Sequence, residues 1–222
     1  MTNSDFFSNF YVVEDPVSTK NYRGDIINQF DTSGGLLRSD YLISHIDIKH
    51  MEGSNEPGIL FWNSVTEPFC ISQTLVEILQ QNKITGWSTI PAKVLTKSGS
   101  NTFDIYFALT VTGRVSSIDY LQTDIVFKQF PGGQFPYFKG LYFVPENWDG
   151  SDIFMERQDI NGKSSAFIYL TKKVVDIFKK NKIKNINFVN FNDYLTDCEM
   201  IKIGATETMK MKIDEKIKKA CV

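Results

Sequence analysis

Polar and apolar positions alternate in some stretches of this chain and recur at helical spacing in others. Residues 10–14, FYVVE, have strand composition and stop at Asp15-Pro16. Residues 17–40 hold Asn, Asp, Ser and the pair Gly34-Gly35, and read as loop. In YLISHIDIKHM, at 41–51, Leu42, Ser44, Ile46 and Ile48 alternate with Tyr41, Ile43, His45 and Asp47. Successive side chains of a strand point to opposite faces, so this pattern predicts a strand. The turn GSNEPG at 53–58 leads into another short strand, ILFWN at 59–63.

Helical spacing begins after Ser72, whose hydroxyl is suited to cap the first turn. Leu75, Val76, Ile78 and Leu79 then form an apolar stripe that stops at Asn82. The same unit recurs at Thr171, and 171 − 72 = 99 residues separate the copies. At that spacing Val76 matches Val175, Glu77 matches Asp176, Ile78 matches Ile177, and Asn82-Lys83-Ile84 matches Asn181-Lys182-Ile183. Each copy follows an apolar stretch (ILFW, AFIYL) and precedes another (STIPAKVL, INFVNF), which predicts two strand–helix–strand units. Between them, 88–95 and 103–111 read as strands flanking a KSGSN hairpin loop at 97–101, and 118–127 as a further strand. The tail places Met209, Ile213, Ile217 and Ala220 on one helical face with lysines opposite, and the lysines near its C-terminus suit the helix dipole. The expected fold is a single α+β domain over 1–222, with a largely antiparallel sheet and about three helices.

Composition narrows the function classes. The 222 residues are 42% hydrophobic and 23% charged, the balance of an ordinary globular protein. A formal net charge of -2 supplies no field to recruit nucleic acid, and no apolar stretch approaches the roughly 18–20 residues that span a bilayer. The start lacks a basic segment ahead of an apolar one, so no secretory leader is expected. Cys70, Cys198 and Cys221 form neither a disulfide framework nor a metal knuckle, and reduced thiols in a cytoplasmic protein are the expectation. His45 and His50 are separated by an odd number of positions, so a metal shared between them is not expected. Aromatic residues, at 14%, are the departure, and they imply either an aromatic core or an adhesive surface.

Three stretches offer candidate chemistry. WDGSD at 148–152 carries Asp149 and Asp152 behind Trp148, and reads either as an Asp-stabilised turn or as a carboxylate pair for hydrolase or glycan chemistry. VTGR at 111–114 puts Arg114 beside a turn, either paired with Asp119 or free to meet an acidic group on a partner. VFKQFPGGQFPYFKGLYF at 126–143 cannot make a regular helix. It reads as a hydrophobic loop folded over the sheet, or as an exposed aromatic anchor through Phe135 and Tyr137. Gly86-Trp87, VTGR with Ile118-Asp119 after it, KGLYF and WDGSDIF together resemble bacterial immunity proteins of polymorphic toxin systems, over roughly residues 82–180. Val115-Ser116-Ser117 stands where that family has a glycine after the arginine. The resemblance implies a small cytoplasmic protein without cofactor that binds and neutralises a cognate toxin. The expected contact residues are Arg114, Phe135, Tyr137, Trp148, Asp149 and Asp152.

Overall fold

The computed structural model describes residues 3–28, 34–64, 67–99, 102–158 and 165–221. In chain order the elements are α1 (Asn3–Phe7), β1 (Phe10–Glu14), β2 (Arg23–Ile26), β3 (Ile46–Glu52), β4 (Leu60–Phe61) and β5 (Cys70–Ser72). Next come α2 (Gln73–Gln81), β6 (Trp87–Leu95), β7 (Thr102–Val111), β8 (Gly113–Val115), β9 (Asp124–Phe130) and β10 (Gly133–Lys139). The chain ends with β11 (Ile153–Glu156), β12 (Tyr169–Thr171), α3 (Lys172–Lys180), β13 (Asn187–Asn190), β14 (Leu195–Asp197), α4 (Cys198–Gly204) and α5 (Glu207–Ala220). The fold is α+β with mostly antiparallel sheets. Five helices, rather than about three, appear among the described residues. The two unexpected ones, α1 and α4, have five and seven residues, too few for a helical period to show in sequence. Part of the expected 97–101 hairpin loop lies outside the described residues.

Two strand–helix–strand units form, as β5–α2–β6 and β12–α3–β13, with β5 rather than the expected ILFW segment (β4) leading into α2, and they are alike in detail. The residues ahead of the helices, Ser72 and Thr171, sit at φ -73, ψ 162 and φ -72, ψ 156. Past the helix ends, Asn82 and Asn181 return their side-chain amides to the carbonyls of Ile78 and Ile177, at 2.8 and 2.9 Å. Lys83 and Lys182 then take left-handed backbone at φ 51 and 54, a conformation costly for any residue with a Cβ and so a specific shared feature. A nine-residue helix is marginal in water by itself. Burial of Leu75, Val76 and Leu79 in α2, and of Val174, Val175 and Phe178 in α3, holds each in place at roughly 1.5–3 kcal/mol per side chain.

Strand registers extend the likeness beyond the helices. Cys70 pairs with Ala108 and Ala108 with Ile90, while Tyr169 pairs with Val12 and Val12 with Val189. Since 189 − 90 = 99, β1 does for the second unit what β7 does for the first. The strand that completes the second unit therefore comes from the opposite end of the chain. The first unit curls its six strands, β2-β3-β6-β7-β5-β4, back on themselves. Arg23 bridges Trp62, and the Gly24 amide donates to the Trp62 carbonyl at 3.0 Å. The second, β13-β1-β12-β11-β8, continues through residues 141–143. There Asp119 donates to the Tyr142 carbonyl (2.7 Å) and Leu141 to that of Phe191 (3.0 Å).

Alternation divides the side chains among three cores. Phe61, Cys70 and Ala108 point into the first curled sheet with Ile46 and Val94, and Val12, Phe154 and Tyr169 into the second with Phe143 and Phe191. Their chain neighbours Leu60, Ile71, Leu109, Val13, Ile153 and Leu170 point the other way, into a central core shared with both helices. Strands β4, β5 and β11 are buried on both faces, so their apolar residues do not alternate with exposed polar ones, and Ser72 and Glu156 at the ends of β5 and β11 are buried as well. A fourth cluster backs the separate sheet β14-β10-β9, where Phe138 and Cys198 meet Ile213 of α5, the helix predicted from the tail.

Candidate functional site

The WDGSD turn is a clasp between the two units. Gly150 takes φ +82, allowing Asp149 to fold back. Asp149 Oδ1 accepts the Ser151 amide (3.0 Å) and Oδ2 the Arg114 amide (2.7 Å), while its own amide donates to the Arg114 carbonyl (3.1 Å). Asp152 reaches further. Its Oδ2 accepts from Lys173 Nζ (2.9 Å), the Thr85 amide (3.1 Å) and Thr85 Oγ1 (3.3 Å), and its Oδ1 from Thr171 Oγ1 (3.2 Å). The carboxylate, with its side chain 13% exposed, joins the exit of α2 to the start of α3. Gly86 makes room for this crossing, because a Cβ there would lie 2.0 Å from the Ile153 carbonyl oxygen. Both carboxylates thus accept from the chain's own donors, as a side chain that stabilises a turn does.

Arg114 also works inward. Its guanidinium donates to the carbonyls of Val111 (2.7 Å), Gly113 (2.9 Å) and Arg38 (2.7 Å), pinning the loop before β3 against the end of β7. Burial lowers its pKa by penalising the charged form. Asp119 instead caps the short helical turn at 120–122, accepting from the Leu121 amide at 3.0 Å. Trp148 stacks edge-on against Phe10, with ring centroids 5.1 Å apart, and lines a hollow of about 260 Å³ with Phe6, Asn9, Thr171, Lys172 and Lys173.

Phe135 and Tyr137 lie elsewhere. Despite its two prolines and two glycines, 126–138 forms the regular hairpin β9–β10, with Lys128 opposite Phe135 and Val126 opposite Tyr137. Pro131 falls in the turn, and Pro136 comes just before the residues of β10 that pair with β14, so neither interrupts the hydrogen-bonding there. One face of the hairpin is buried through Phe138. The other gathers Phe130, Phe135 and Tyr137, with centroids 5.8 Å (Phe130–Phe135) and 6.3 Å (Phe130–Tyr137) apart, and Lys128 Nζ lies 4.7 Å from the Tyr137 centroid. Phe130 and Phe135 are each 42% exposed. The sequence places Lys128 beside aromatics but does not by itself single out Phe130, although a period of two through Val126, Lys128 and Phe130 puts both on one face.

A second omission is Glu156, 8% exposed within the second curled sheet. It accepts from Ser165 Oγ, Tyr169 Oη (2.9 Å) and the Ile118 amide (3.2 Å). The phenol of Tyr169 is pushed well above its usual range, chiefly by burial and next by that carboxylate. No group of three His, Cys, Asp or Glu side chains placed to hold a metal ion occurs among the described residues, and none of their helices is long and apolar enough to cross a membrane. Set against known proteins, the chain matches no family profile and no curated protein.

Proposed function

We propose that this chain is an immunity protein of the cytoplasm, which binds and neutralises a cognate toxin by contact and makes or breaks no bonds itself. The observation that carries the binding part is the exposed aromatic face of the β9–β10 hairpin. Three rings on a rigid strand pair, with a cation over one of them, have the chemistry of interface anchors, and their order is set in advance by the buried reverse face. The resemblance of VTGR, KGLYF and WDGSDIF to immunity proteins supports the choice of a toxin as partner.

The test is co-purification with the product of the neighbouring toxin gene, then titration of the Phe135→Ala/Tyr137→Ala variant. Removing two central anchors costs roughly 2–4 kcal/mol, a 30- to 1,000-fold loss of affinity. The fold, read by circular dichroism, should stay intact because neither ring belongs to a buried cluster. Unchanged affinity in the variant, or absence of binding by every neighbouring gene product, overturns the proposal.

A further inference from the structure

The two units differ at the clasp, and the difference marks a second site, independent of the aromatic hairpin. In the second unit the Thr171 amide donates to the Asp152 carbonyl at 2.9 Å, and in the first the Ser72 amide donates to the Ile59 carbonyl at 2.9 Å. Ile59 therefore stands where Asp152 stands, at an offset of 152 − 59 = 93. Two of the three donors to Asp152 have donor counterparts at the spacing of 99, Ser72 for Thr171 and Lys184 for Thr85, while the third, Lys173, is matched by Thr74 (173 − 99 = 74). The first unit thus carries its ammonium past the helix exit at Lys184 rather than at the helix start, with isoleucine in place of the aspartate.

Two features set this position apart from its counterpart, one buried beneath it and one at the surface. Ser72, 6% exposed, has a buried Oγ with no hydrogen-bond partner, whereas its counterpart Thr171 donates to Asp152. Beside Ile59 a cleft of about 500 Å³ opens, and Lys20, Lys182 and Lys184 line it with Glu56 as the one carboxylate among the lining residues. None of the three lysines has an ion-pair partner among the described residues, and the cleft carries a net charge of 3 − 1 = +2. Its floor is firm: Asn185 accepts from Asn21 Nδ2 (2.7 Å) through its side chain and from Trp62 Nε1 (2.7 Å) through its carbonyl.

We infer that this cleft receives an acidic peptide segment of a partner protein, whose carboxylate pairs with Lys182 and Lys184 beside Ile59. The chain's own turn shows the kind of ligand that fits, a short loop presenting an aspartate to the exit of a helix. Lysines suit this role because a carboxylate held among them at partial burial is attracted more strongly than in open water, while their heads stay hydrated.

The probe is the blocked peptide Ac-WDGSD-NH2, titrated into the intact protein at low salt and followed by backbone amide chemical shifts. Saturable shifts of Lys182, Lys184 and Asn185 are expected, with a Kd of about 1 mM, the strength of a few part-buried ion pairs. Ac-WNGSN-NH2 should bind at least about tenfold more weakly, as should the wild-type peptide to the Lys182→Glu/Lys184→Glu variant or, should that not fold, to Lys184→Gln. Lys172→Glu, away from the cleft, should change nothing. Absence of shifts at those three amides in the wild type overturns the inference. So does equal binding of the Asn peptide, or inorganic phosphate binding as tightly as the Asp peptide, which would mark a simple anion site.

Discussion

The two strand–helix–strand units share a cap, a helix length, a left-handed exit and a strand register, yet they differ wherever the chain meets something beyond the shared core. In the second unit Asp152 is clasped by Thr85, Thr171 and Lys173, and at the matching position of the first Ile59, 39% exposed, borders an open lysine cleft. Inside the second curled sheet sits the carboxylate of Glu156, and at the matching place in the first (156 − 93 = 63) the amide of Asn63, which donates to the Pro68 carbonyl at 2.6 Å. The aromatic hairpin follows β8 of the second unit, and α4 and α5 support its sheet from behind. The departures from the repeat coincide with the two surfaces proposed above for partner contact.

If the two helices share one core, weakening either should weaken the whole. Phe178→Ala should cost about 3–5 kcal/mol and Leu79→Ala about 2–5, with a single urea transition in each case. A biphasic transition, one unit melting before the other, would break the comparison at its root. A smaller loss, roughly 2–3 kcal/mol, is expected for Asp152→Ala, since charge-assisted hydrogen bonds to both units disappear together while Lys173 remains half exposed. A loss below about 0.5 kcal/mol would mean that the clasp carries no weight.

The reciprocal change sharpens the contrast. Ile59→Asp supplies the acceptor that Ser72 and Lys184 lack, so the midpoint of unfolding should hold or rise by up to about 1 kcal/mol, and the WDGSD peptide should no longer bind. A marked fall in stability would show that the two positions are not interchangeable. The least effect concerns the thiols. Burial raises Cys70 from the ordinary 9.0 to about 12 and Cys198 to about 11, so both hold their protons more tightly folded than unfolded. The stability they contribute is complete below pH 9 and is lost as pH rises toward 11 and 12. Near pH 8 a thiol reagent should find only the exposed Cys221 until the chain is unfolded.

Much of this was legible along the chain, and the boundary is instructive. Helices α2, α3 and α5 and strands β1, β6 and β7 follow from local periodicity, because the pattern that makes each element also buries it. The aromatic stretch was legible in content but not in form. Its prolines and glycines suggested irregular backbone, whereas one proline sits in the turn and the other just before the β14 pairing. Asp149 stabilises its own turn, as short-range chemistry leads one to expect. Asp152 does not act locally, since its partners Thr85 and Lys173 are 67 and 21 residues away.

Local order, then, belongs to neighbouring residues, whose spacing settles which segments become helix or strand and which face turns inward. Tertiary structure alone decided that β1 completes a unit begun more than 150 residues later, that Arg114 spends its donors on carbonyls, and that one of two matched positions holds a clasped carboxylate while the other holds Ile59 at the edge of a lysine cleft. The reason is physical. Hydrogen bonds and ion pairs between distant segments have no period to leave in the sequence, and they exist only once apolar burial has brought those segments together.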